Sequence, residues 1–346
     1  MEGRNLNQGE TEDLQTDHRR RDEAEIKDKQ VVAEEKTLAY LKDKLAINPE
    51  ELTQKLTAFI VEYEQKLQRD GVILGLSGGL DSAVVAKLCV KAVGAKRTFA
   101  LLMPEKDSDP RHLRDAQELA QSLRINSELV ELTKYLKAIG IYRLFPLDVL
   151  VPKKLRTKTV NGLYHYYEKK KGTRYFSRTL NGSDPGLTGN IVNRSHAYYR
   201  AKHRMRMLIL YLNAERDNHL VVGAANKTEA LVGYFVKHGV DAATDIMPIL
   251  GLYKTQVYAL AKYLQVPETI IQKSPSPDLI SGLVDEAAIG MSYERLDLIL
   301  VGIECGWSDQ EIGKALNEIG ATLDDIRYVH EICLHSEHMR TVYAPE

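Results

Sequence analysis

Between residues 72 and 225 short apolar runs alternate with amphipathic helical stretches, and that rhythm restricts the fold more than any other feature of the chain. Val72–Leu76 is a β-branched apolar run that passes through glycines into a helical stretch at Asp81–Val93. Thr98–Met103 and Leu129–Leu132 read as strands on either side of a helix at Pro110–Leu123. A helix at Ala201–Glu215 then leads into a buried strand at Leu220–Ala225. Strands that return after each helix form a parallel sheet covered on both faces. Ligands in such sheets sit at the carboxyl ends of the strands, where the strand order reverses. The last third is helical, at Tyr293–Ile303, Ser308–Leu316 and Leu323–His335, with Ser308 and Thr322 as expected N-caps. The expected fold class is therefore α/β: a doubly wound parallel sheet flanked by helices, with a helical C-terminal part.

The 346 residues suffice for two domains, or for one large α/β domain with additions. The longest apolar runs, such as Leu208–Leu212, fall far short of the roughly 20 residues that cross a bilayer. The first thirty residues have no apolar core of a secretory signal, and Cys89, Cys305 and Cys333 form no ligand pair or disulfide framework. A cytoplasmic protein with free thiols is expected, with no membrane partner.

Residues 1–47 read as a charged, partly disordered extension, with a helical pattern from Ala24 to Leu45. Asn48-Pro49 opens a second helical stretch, Glu50–Gln68, and the main α/β domain spans 48–346. A basic insertion at about 140–196 interrupts the rhythm. Its turn dipeptides Asn161-Gly162 and Asn181-Gly182 favour a hairpin or lid-like excursion. The net charge of −1 conceals fourteen Lys/Arg against two acids between Lys153 and Arg206. Such a stretch is either an anion-binding surface or a solvated insertion.

The sharpest local signal is Gly75-Leu76-Ser77-Gly78-Gly79-Leu80-Asp81-Ser82, which closes a strand and opens a helix. Glycines admit a ligand close to the backbone, while free N–H groups, hydroxyls and a helix N-terminus cradle an anion. No Gly-Lys-Ser/Thr follows, so the Walker pattern is absent. A carboxylate inside an anion cradle calls for a cation between them, and Asp81 therefore points to Mg²⁺. The arrangement resembles the pyrophosphate loop of ATP pyrophosphatases.

A second series lies downstream: Gly223-Ala-Ala-Asn-Lys-Thr-Glu229, Gly233–Lys237, Thr244-Asp245, Leu252-Tyr-Lys254, Ser274-Pro-Ser-Pro-Asp278, Asp285-Glu286, Gly290–Glu294 and Ser336-Glu-His338. Together with the loop, this order of blocks resembles the ammonia-dependent NAD synthetases over about 49–135 and 200–342. The resemblance implies an adenine nucleotide alpha-hydrolase-like fold and a two-step reaction. The nicotinate carboxylate of deamido-NAD attacks ATP to give an adenylate and PPi, and ammonia then displaces AMP. It further implies Mg²⁺ held by Asp81 and Glu229, and catalytic roles for Asp81 and Lys254. ATP would contact Gly75 to Ser82, Lys254 and Ser276, and deamido-NAD would contact Arg204, Lys237, Asp245 and His338. The helix carrying Arg204 and Arg206 would pack at a homodimer interface.

Several positions depart from the family pattern. Ala224 stands where a threonine is usual, Tyr199-Arg200 where Gly-Asn is usual, and Met339 where a lysine is usual; the loop Gly239–Asp245 is one residue longer. Two alternatives accompany the NAD reading: an AMP-forming ligase of the same fold acting on another small carboxylate, and a related enzyme acting on tRNA. No nucleic-acid partner is expected under the first reading.

Overall fold

The computed structural model describes residues 36–144, 175–180, 187–240, 242–274 and 285–343. In chain order the elements are α1 (Leu38–Leu45), α2 (Pro49–Lys66), β1 (Gly71–Gly75), α3 (Leu80–Val93), β2 (Thr98–Leu102), α4 (Pro110–Leu123), β3 (Asn126–Leu129) and α5 (Thr133–Ala138). There follow α6 (Tyr175–Leu180), α7 (Leu187–Arg216), β4 (His219–Val221), α8 (Lys227–Val232), α9 (Lys254–Tyr263) and α10 (Glu268–Ile271). The C-terminal part contributes α11 (Asp285–Ile289), α12 (Tyr293–Glu304), α13 (Asp309–Ala315), α14 (Leu323–His335) and α15 (Glu337–Arg340).

Four parallel strands run in the order β3-β2-β1-β4, with Ile73 opposite both Phe99 and Val221. Alternate residues of β1 face opposite layers, as the pleat requires. Val72 and Leu74 pack with α2, α3, α4 and α9 through residues such as Ile60, Leu88, Leu119 and Leu260. Ile73 and Leu101 face the other way, toward Leu136 of α5 and Leu210 and Ala214 of α7. Both faces are thus covered, which is the condition for a parallel sheet. A third core, holding Leu41, Leu296, Ile299, Trp307, Ile326 and Val329, joins α1 to the C-terminal helices. The expected α/β class and helical C-terminal part are both present.

Helix ends follow their local chemistry. Asn48 accepts from the N–H groups of Glu50 and Glu51 at 3.1 and 3.3 Å, and Pro49 fills the first turn, where no donor is needed. Ser308 and Thr322 each form a capping box, with Glu311 and Asp325 respectively.

Three expectations need correction. The third strand is Asn126–Leu129 rather than Leu129–Leu132. It lies at the sheet edge with every residue exposed, so it carries no apolar signature. The apolar run beyond it still follows β2, through Val130 N–H to the Leu102 carbonyl, before Leu132 buries itself. The fourth strand ends at Val221; Val222 then bridges to Ile246, which lies outside the four named strands. Finally, α7 begins at Leu187, so the tail of the basic insertion is helical and includes Gly189-Asn190. Thr37 is an extended N-cap to α1, so the helical stretch expected from Ala24 to Leu45 does not run unbroken. Its part before residue 36, the two Asn-Gly turns and the expected disorder fall outside the described residues.

Within the described part of the basic stretch, Arg194, Lys202 and Arg206 are committed to internal acceptors. Lys202 is fully buried, with Nζ 2.8 Å from both Glu105 and Asp107. Arg206 donates to the Met103 carbonyl, and Arg194 to the carbonyls of Arg143 and Leu144. Tyr198 donates to Asp107. These groups are the seam between α7 and the end of β2.

Candidate functional site

Strand order reverses between β1 and β4: from β1 the chain steps to β2 on one side, and β4 later adds to the other. The loops leaving β1 and β4 therefore flank a crevice at the switch point. Leu76 and Leu80 are buried in the core, and they pin both ends of the first loop. Between them Gly78 adopts φ +77°, and a Cβ there would lie 2.1 Å from the His112 carbonyl oxygen. Only glycine fits that contact with α4. Ser77 and Ser82 hydroxyls lie 3.0 Å apart, and the Ser77 oxygen accepts from Gly79 N–H at 3.2 Å. Gly79 caps α3 without a side chain, leaving that helix start with main-chain donors for an anion.

Asp81 lies on the first turn of α3 and meets the loop after β4. Its Oδ1 accepts from Asn226 Nδ2 at 3.2 Å, and its Oδ2 from Lys254 Nζ at 2.5 Å. Asn226 is the N-cap of α8, accepting from Glu229 N–H at 3.0 Å, so one side chain ties Asp81 to the helix that carries Glu229. Lys254 Nζ also lies 3.1 Å from Glu229 Oε1. Lys254, 173 positions from Asp81 and 25 from Glu229, thus joins the two acids in one cluster.

Burial alone would depress the Lys254 ammonium, but Asp81, Glu229 and Asp285 outweigh it and hold the group above its ordinary range. Glu229 is pushed up by burial and by the nearby Asp81 and Asp285 charges, against the pull of Lys254. Asp285, also raised by burial, accepts from the hydroxyls of Tyr234 and Tyr293, both at 3.1 Å. The Lys254 ammonium stands 5.2 Å from the Tyr293 ring centroid.

Two hard carboxylates beside an anion cradle are the donor set a small divalent cation requires, and Asp81 and Glu229 would hold it. Ser276 lies outside the described residues.

Arg204, Lys237 and His338 come together. The Arg204 guanidinium reaches the Lys237 carbonyl at 3.3 Å, and Lys237 Nζ donates to the carbonyls of His338 and Thr341, both at 2.6 Å. Asp245 accepts from Tyr211, two turns from Arg204 on α7, and from Val221 N–H. Met339 is buried in the C-terminal core, so its thioether packs there while the adjacent His338 remains exposed. Ala224 packs against the sheet core, and the Thr244 hydroxyl lies 2.4 Å from where a Gly223 Cβ would stand.

Sequence reasoning missed Asn226, whose signal was its place three residues before Glu229, as in an N-cap. It also missed Lys273, which donates to the Gly78 carbonyl at 2.9 Å and pairs with Asp115. Nothing in the local sequence placed that ammonium beside the loop.

A doubly wound sheet with a glycine-serine loop and an acid–lysine–acid cluster at its switch point defines a nucleotide-binding α/β enzyme. The chain belongs to the NAD synthase family, whose model matches residues 52–144 and 189–343. It is 43% identical over 253 residues to an NH3-dependent NAD+ synthetase of Thermotoga maritima, covering 73% of this chain and 87% of that one. It is similar to the structure of NMN synthetase from Francisella tularensis, with TM-score 0.62 and 26% identity over 87% of this chain and 99% of that one. The NH3-dependent NAD synthetase of Campylobacter jejuni gives TM-score 0.59 and 27% identity over 87% and 100% of the two chains.

Proposed function

We propose that the protein amidates deamido-NAD with ammonia, using ATP and passing through an adenylate with release of PPi and then AMP. The observation that carries the reading is the convergence of Asp81, Glu229 and Lys254 beside the Gly75–Ser82 loop, in a chain of the NAD synthase family. ATP is the co-substrate. Its phosphates suit the loop donors from Gly75 to Ser82, and the Lys254 ammonium offsets charge that builds on the α-phosphate. Mg²⁺ bound by Asp81 and Glu229 would neutralise phosphate charge when the nucleotide enters. The deamido-NAD contacts fall to Arg204, Lys237, Asp245 and His338, with Ser276 as a further ATP contact.

Adenylation makes chemical sense because a carboxylate is a poor acyl donor, and both reactants are anions that need cations to approach. The alternatives, another small carboxylate or a tRNA base, are not favoured by the family match. The catalytic unit is read as 48–346, preceded by the extension 1–47. Leu208 and Leu212 on α7 are 58% and 60% exposed, which supports pairing of two copies through that helix. The three thiols are free, in keeping with a reducing cytoplasm, and no described helix is long and apolar enough to cross a membrane.

The test is AMP and PPi release with Mg-ATP, ammonium and a panel of carboxylates that includes deamido-NAD and nicotinate mononucleotide. Turnover with deamido-NAD above the rest, lost in Asp81→Ala, is expected. Preference for the mononucleotide or for an unrelated acid would replace the substrate assignment, and no release with any carboxylate would overturn the reaction.

A further inference from the structure

Asp297 is a carboxylate with no solvent exposure, inside α12 between Leu296 and Leu298. A buried carboxylate is costly unless hydrogen bonds satisfy it. Its partners come from two other helices. Oδ1 accepts from the Thr228 hydroxyl at 2.5 Å and Oδ2 from Thr255 N–H at 2.8 Å. Thr228, itself fully buried, accepts in turn from Lys254 N–H at 2.9 Å. One carboxylate and one hydroxyl therefore join the first turns of α8 and α9.

Those turns carry the site. Thr228 precedes Glu229, and Thr255 follows Lys254. Successive residues on a helix point about 100° apart. Thr228 turns its hydroxyl and Thr255 its main-chain N–H to Asp297, while Glu229 and Lys254 meet each other and Lys254 meets Asp81. A second tie, Lys227 N–H to the Leu252 carbonyl at 2.8 Å, runs beside the first. Burial pushes Asp297 up to about 6 while Thr228 and Thr255 pull it back, so at neutral pH it is the acceptor this geometry needs. An apolar pair of similar size would fill the space, but it would not set a direction between the two helix starts.

We propose that Asp297 and Thr228 are positioning residues, a clasp that fixes the separation of Glu229 and Lys254 and so the geometry in which ATP reacts. The inference rests on the function proposed above. Both side chains are fully buried and act through others: Thr228 through Glu229, which follows it, and Asp297 through Thr228 and Thr255. A displacement of an ångström at a reacting centre costs on the order of 100-fold in rate, so loss of the clasp should appear in kcat.

The experiment compares Thr228→Val, Thr228→Ser and Asp297→Asn with the native chain. It measures kcat, KM for ATP, the thermal midpoint, and amide hydrogen exchange at Lys254 and Thr255. Thr228→Val and Asp297→Asn should lower kcat about 30-fold with KM for ATP within about threefold, and speed exchange at the two amides about tenfold. Thr228→Ser, which keeps the hydroxyl, should stay within about threefold of native in every readout. If Thr228→Val turns over like native, or if valine and serine lose activity equally and only in proportion to unfolding, the clasp is overturned. Should Asp297→Asn not fold, the valine–serine pair decides alone. If the native chain releases no AMP from deamido-NAD, the functional reading fails, and exchange at Lys254 and Thr255 still judges the clasp.

Discussion

Gly78 couples the loop to α4 through a single missing methyl group. Alanine there would meet the His112 carbonyl at 2.1 Å and keep an unfavourable φ, so Gly78→Ala should cost about 1–3 kcal/mol from backbone strain alone. Urea unfolding measures that loss, and calorimetric titration with Mg-ATP should show weakened binding. Asp297 offers a test of pH dependence. Its carboxyl releases a proton at 3.8 ordinarily and at about 6 when folded. The folded protein therefore holds a proton that the unfolded chain has lost across that window. The stability this proton contributes is complete below about pH 4 and gone above about pH 6, a difference of about 3 kcal/mol. Asp297→Asn carries no such proton. Native stability measured against the variant by urea unfolding should decline by that amount between pH 4 and pH 7.

Elements were legible where one face of each had to be buried. The continuous apolar run at Val72–Leu76, buried on both faces of the sheet over Val72–Leu74, and the residues Asn48, Ser308 and Thr322 announced a strand and three helix starts. Thr322→Ala should cost about 1 kcal/mol, read from the shift in unfolding midpoint. Edge strand β3 was misplaced because an exposed edge has no apolar pattern to read. The start of α7 was hidden by Gly189 and Asn190, which mark turns in most settings yet here continue a helix that tertiary packing holds. Asp81, Glu229 and Lys254 were legible because their blocks keep a fixed order along the chain. Asp297 was not, since one acid within an apolar run gives no sign of which helix starts it will face. The α7 seam makes its own prediction. Lys202→Met would leave buried Glu105 and half-buried Asp107 beside a neutral side chain, costing about 3 kcal/mol and raising amide exchange along α7.

Across the whole molecule, the site draws on separate cores. Asp81 begins a helix of the sheet layer, Asp285 begins a C-terminal helix, and Lys254 faces both. Saturating Mg-ATP should therefore shift a single calorimetric transition upward, by about 2.7 kcal/mol at a hundredfold excess over Kd, rather than splitting it in two. The short helix α1 bears on the same unity. Tyr40 stacks on Trp307 at 5.4 Å, Leu41 has no exposed surface, and the Leu45 carbonyl accepts from Gln256, on the opening turn that Lys254 begins. The family match begins only at residue 52. Trimming the protein to residues 52–343 would uncover one face of the Trp307 ring, take Leu41 out of the C-terminal core and leave the Gln256 amide without its acceptor. A segment that precedes the family match thus completes, in this chain, the packing around the helix that Lys254 begins.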